Sequence, residues 1–116
     1  STLDRSSAAS DVYKRQLVQL VKRIADVACM TLLDHTLQVE FFPVWVDGRL
    51  AGDYGVSCGA IIVESHIYLH TWPEKYYCRL EVSSCKSFDA ERVVQVVEHI
   101  LGATQIKWCC VDWQES

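Results

Sequence analysis

Residues 64–70 read Glu-Ser-His-Ile-Tyr-Leu-His and bring a hydroxyl, two imidazoles and a carboxylate into seven positions. Apolar Ala60, Ile61, Ile62 and Val63 lead into this run, and Trp72-Pro73 closes it. A buried structural strand rarely carries so many titratable groups, because each costs free energy to desolvate unless it is paired. The run therefore has the character of a site, with a hydroxyl nucleophile and acid–base groups beside it. Strand alternation puts His66, Tyr68 and His70 on one face. Ser65 has the opposite parity, so a turn or bulge is expected at Glu64–Ser65.

The chain resembles the prokaryotic S-adenosylmethionine decarboxylase proenzymes, which make a pyruvoyl cofactor by cutting their own backbone. The matching residues are Glu64-Ser65-His66, His70 through Glu74, Gly55-Val56-Ser57 upstream, and Cys85 after the next strand-like segment. The resemblance covers about residues 17–113 and is dense from Gly55 to Cys85. It implies that the Ser65 hydroxyl attacks the Glu64 carbonyl and converts the amide to an ester. Loss of the Ser65 α-proton then leaves dehydroalanine, which hydrolyses to pyruvoyl. A nucleophile this weak needs a base and a stabilised oxyanion. By the resemblance, His70 accepts a proton in processing and Ser57 assists. Imidazole suits that role because its pKa lies near working pH. Glu64 supplies the carbonyl, and its side chain is given no part. His66 is given no role either and reads as a partly exposed strand histidine.

The implied products are a β chain of residues 1–64 and an α chain beginning at Ser65. The pyruvoyl ketone would form a Schiff base with the substrate amine and draw electrons from the breaking carboxylate bond. Cys85 would return a proton to the α-carbon, as a thiol can. The implied substrate is S-adenosylmethionine, decarboxylated for spermidine synthesis, and the implied assembly is a homodimer of processed protomers. Three departures concern the substrate wall. Ala51 stands where the family often has an aromatic residue, Lys75-Tyr76-Tyr77-Cys78 replaces small residues, and Lys86 replaces a glycine. The family's first apolar strand is not found in this sequence. These departures are compatible with a divergent decarboxylase of arginine or ornithine, or with a non-catalytic regulatory homologue.

Composition bounds the alternatives. At 116 residues, half of them hydrophobic, the chain is one domain with enough apolar material for a core. The net charge of −4, with both signs interspersed, gives no basic patch for nucleic acid. No apolar run is long enough for a membrane span, and no signal peptide is visible, so a cytoplasmic protein is expected. The six cysteines show no CxxC spacing. Free, buried thiols are expected, and no metal site.

The elements that must position these residues follow from periodicity. Residues 1–16 read as a flexible or non-native leader, and residues 17–116 as a single decarboxylase-like domain. Leu17, Leu20, Val21, Ile24 and Val27 recur at helical spacing, predicting a first helix over about 15–28. A strand with a break at Pro43 follows, then turns at Asp47-Gly48 and Gly52-Asp53. Strands are expected over 59–63, 66–72 and 76–84. A second helix is capped by Asp89 and ends at Gly102, and a last strand spans about 105–113. The fold class is α+β, a two-layer sandwich with two helices on one face of an antiparallel sheet. Trp72 and Trp113 read as core or interface aromatics, and His35 and His99 as surface residues.

Overall fold

The computed structural model describes residues 7–103 and 105–111. Helix α1 (Ser7–Val27) is followed by β1 (Gln38–Val46), β2 (Arg49–Ile62), β3 (Ser65–Trp72), β4 (Tyr77–Ser84) and α2 (Ala90–Leu101). The four strands form one antiparallel sheet in sequential order. The fold is the expected α+β class.

Alternation along the strands decides which face the helices cover. Val56, Cys58, Ala60 and Ile62 of β2 and Ile67 and Leu69 of β3 are buried. They pack with Leu17, Leu20, Val21 and Ile24 of α1 and with Val93 of α2. Each such aliphatic side chain contributes about 1.5–3 kcal/mol on full burial. Thr71 is the buried polar residue of this face. Its hydroxyl accepts from the Tyr13 hydroxyl at 2.8 Å and donates to the Val56 carbonyl at 3.1 Å. This links the first half of α1 to the centre of the sheet.

The connections follow local chemistry. Asp47 and Gly48, both at positive φ (50° and 76°), close the two-residue hairpin between β1 and β2. In α2, Asp89 caps the helix by accepting from the Arg92 N–H at 3.2 Å, and Gly102 ends it at φ 63°. Helix α1 ends on Cys29 at φ 57°, with the Met30 N–H bonded to the Ala25 carbonyl and the Cys29 N–H to the Asp26 carbonyl. That is a Schellman motif with cysteine in the position glycine usually takes.

Four expectations are corrected. The sequence reads residues 1–16 as a flexible or non-native leader and starts the first helix near 15, whereas the described residues 7–16 already belong to α1. Residues 11–16 are largely exposed and show little apolar period. Gly52-Asp53 is no turn but lies within β2, with Gly52 at φ 94° facing Phe42 across the register shift at Pro43. Residues 105–111 form no strand, because their backbone pairs with no strand of the sheet. Residues 112 and 113, the end of the expected last strand and with it Trp113, lie outside the described residues. All six cysteines are free, as expected, but only Cys58 is buried.

Candidate active site

Ile62 pairs with Ser65 across the β2–β3 connection, so Val63 and Glu64 are the two turn residues. The expected break in the strand therefore falls at Glu64, immediately before Ser65. Five contacts hold this turn. The Val63 N–H donates to the Thr31 carbonyl at 2.8 Å, and the Thr31 N–H donates to Glu64 Oε1 at 3.0 Å. Lys86 Nζ donates to the Cys29 carbonyl at 2.6 Å and lies 3.8 Å from Glu64 Oε2. The Cys85 N–H donates to the Glu64 carbonyl at 3.0 Å. The Glu64 side chain is only 12% exposed. Its carboxylate fastens the turn to Thr31, in the segment after α1, and to Lys86. Lys86, a departure from the family pattern, makes two of the five contacts.

Ser65 opens β3, paired with Ile62 on one side and Ser84 on the other. Its Oγ lies 3.2 Å from His66 Nδ1. His66 Nε2 in turn lies 3.7 Å from Glu81 Oε1, and its ring stacks on Tyr68 with centroids 4.7 Å apart. The sequence reading missed this arrangement, because alternation directs neighbouring strand side chains to opposite faces. The available signal was the Ser-His dipeptide itself, with an acidic residue on the adjacent strand. Cys85 follows Ser84, the register partner of Ser65, and is exposed.

Ser57 and His70 form a second cluster. They are register partners on β2 and β3, and Ser57 Oγ lies 2.6 Å from His70 Nδ1. His70 is five residues along β3 from Ser65, about 17 Å at the usual strand rise. It faces outward, away from the helices. Ser57, His70, Gln38, Glu40 and Tyr68 line an open hollow of about 990 Å³. Gly59 keeps this surface accessible to Tyr68, since a Cβ there would collide with the Tyr68 ring. Trp72 and Tyr77 extend the aromatic row, with ring centroids 5.4 Å apart. Among the described residues no helix covers this outer face, and Tyr68 (43%) and Tyr77 (57%) are exposed on it. The structure thus brings Ser65 and Cys85 to one end of β3 and joins Ser57 to His70 farther along, without uniting the two groups.

Chemically, the first group offers a hydroxyl, an imidazole and a backbone donor on the carbonyl that precedes the hydroxyl. The second offers a hydroxyl–imidazole pair on an open surface. The class this defines is a small α+β fold that presents a serine hydroxyl directly after a clamped turn. The family model described as S-adenosylmethionine decarboxylase matches residues 6–112. The chain is 40% identical over 77 residues to an S-adenosylmethionine decarboxylase proenzyme of Saccharolobus solfataricus, covering 65% of this chain and 52% of that protein. A proenzyme of the same name from Sulfolobus acidocaldarius is 40% identical over 74 residues, covering 64% and 51%. One from Clostridium botulinum is 29% identical over 86 residues, covering 73% and 65%. The chain belongs to the S-adenosylmethionine decarboxylase family. It spans about half the length of the archaeal relatives it matches. None of the described helices is long and apolar enough to cross a membrane.

Proposed function

We propose that this chain is the precursor of a pyruvoyl-dependent S-adenosylmethionine decarboxylase, acting in the cytoplasm and supplying decarboxylated S-adenosylmethionine for spermidine synthesis. It cuts itself between Glu64 and Ser65. The observation that carries this reading is the clamped turn. The carbonyl to be attacked is held by the Cys85 N–H, and the attacking hydroxyl is the next residue, within reach of an imidazole. A donor fixed on a carbonyl stabilises the charge that develops there. The residues around position 65 fit the formation of the group: a serine, a neighbouring base and a nearby thiol. Once formed, a pyruvoyl carbonyl supplies an electron sink for loss of carbon dioxide from an α-amino acid. The chain's own part is then to hold the substrate and return a proton, and Cys85 is the proposed donor.

Processing also requires removal of the Ser65 α-proton, which we assign to His70 with Ser57 at its side. Within one chain these residues are about 17 Å from Ser65 along the strand. A second copy packed on the open outer face, related by a two-fold axis, would bring its His70 to this Ser65 and the reverse. The exposed aromatic row on that face supports a homodimer. Carbon dioxide release from S-adenosylmethionine, arginine and ornithine, tested side by side, separates the substrates. Turnover of S-adenosylmethionine is expected, and absence of turnover for all three would leave only the non-catalytic homologue.

A further inference from the structure

We infer that the first step of backbone cleavage is assembled within the single chain, with His66 as the base that takes the Ser65 hydroxyl proton and Glu81 as the carboxylate behind it. The inference rests on the self-cleavage reading and adds to it a base distinct from His70. Ser65 Oγ and His66 Nδ1 are 3.2 Å apart. If the hydroxyl donates to Nδ1, the ring proton sits on Nε2, and Nε2 is the atom that faces Glu81 Oε1 at 3.7 Å. Hydroxyl, imidazole and carboxylate therefore stand in the order of a nucleophile triad, in which the acid fixes the tautomer and stabilises the imidazolium. The contacts are long, as catalytic contacts often are before the reacting geometry tightens. The stack on Tyr68 fixes the plane of the ring.

The step balances within these groups. The Oγ proton passes to His66 Nδ1, and Oγ bonds to the Glu64 carbonyl carbon, closing a five-membered ring. The carbonyl oxygen becomes an oxyanion that keeps its bond from the Cys85 N–H. The Glu64–Ser65 C–N bond then breaks, and the proton held by His66 passes to the departing Ser65 nitrogen. The product is an ester between the Glu64 carbonyl and Ser65 Oγ, with a free amine on Ser65. No oxidant or further reactant is needed. The division of labour is that His66 serves the acyl shift and His70 the later loss of the α-proton.

The test follows cleavage of the full chain by intact mass at pH 5.5–9 for the unaltered protein, Ser65→Ala, His66→Ala, Glu81→Gln and His70→Ala, with hydroxylamine as a probe that cuts esters. Glu81 of β4 and Tyr68 of β3 are the titratable groups facing His66, and its register partner on β2 is Ile61. His66→Ala is expected to slow cleavage by roughly a hundred-fold, the usual scale of a lost general base. It should accumulate uncut amide that hydroxylamine leaves intact, whereas His70→Ala accumulates an ester that hydroxylamine cuts. Glu81→Gln, at a 69% exposed side chain that tolerates change, should slow cleavage several-fold and, like His66→Ala, accumulate amide that hydroxylamine leaves intact. It keeps the inference testable if His66→Ala fails to fold. A hydroxylamine-sensitive ester in His66→Ala, or unaltered rates and profiles in both variants, overturns the inference while leaving self-cleavage standing. An unaltered protein that never cleaves overturns the underlying reading instead.

Discussion

Mixing two inactive variants tests where His70 acts. Ser65→Ala removes the proposed nucleophile, and His70→Ala removes the proposed proton acceptor; neither alone should yield cleaved chains. The five-residue separation along β3, about 17 Å, exceeds the combined reach of the two side chains. Under the proposed reading, His70 then serves the Ser65 of a second copy. In a mixed dimer, one of the two sites combines both substitutions and the other carries neither. The intact site has its serine on the His70→Ala chain. With equal amounts and random pairing, about half of all dimers are mixed, so about a quarter of all chains become cleavable under two-fold symmetry. Co-expression with a mass tag on one variant, followed by intact mass, reads this directly. The expected result is cleavage of up to about half the His70→Ala chains and none of the Ser65→Ala chains. Absence of cleavage in verified mixed dimers, while the unaltered protein cleaves, would refute the argument from distance.

Three further outcomes concern the scaffold. Thr71→Val should cost about 1–3 kcal/mol in urea unfolding, because it strands the half-buried Tyr13 hydroxyl; Tyr13→Phe should cost less, and the double variant no more than Thr71→Val. Cys29→Gly should stabilise by about 1 kcal/mol, since it relieves a left-handed conformation unfavourable to a side chain, readable as a higher melting temperature. Burial pushes the Cys58 and Cys78 thiols up from 9.0 to about 11, and burial also raises Tyr13 above 10.0. Raised folded values mean the neutral forms are favoured by folding. That stability is complete below pH 9 and is lost as pH rises through about 11. The melting temperature should fall over that window, and Cys58→Ala with Cys78→Ala should flatten the fall.

Much of the scaffold was legible because its determinants are local. The Asp89 cap, the Gly102 stop and the alternation of His66, Tyr68 and His70 each depend on residues a few positions apart. The missed features depend on distant partners. Gly52 carries a turn-like signal, yet its positive φ serves a bulge opposite Phe42 on another strand. Residues 105–111 alternate in type, but a strand exists only where a neighbour pairs with it. Within the candidate site, Ser65, His70, Ser57 and Cys85 were singled out by the family resemblance of the motif. Their division into two clusters did not, because strand register alone brings Ser57 to His70 and separates both from Ser65. The engagement of Glu64 by Thr31 and Lys86 joins segments 33 and 22 residues away, beyond any local pattern.

Intact mass of the protein after incubation under native conditions tests self-cleavage most directly. The account predicts two chains, one ending at Glu64 and one headed at position 65 by a pyruvoyl group in place of serine. A single chain in which Ser65 is still joined to Glu64 by an unmodified peptide bond would contradict it.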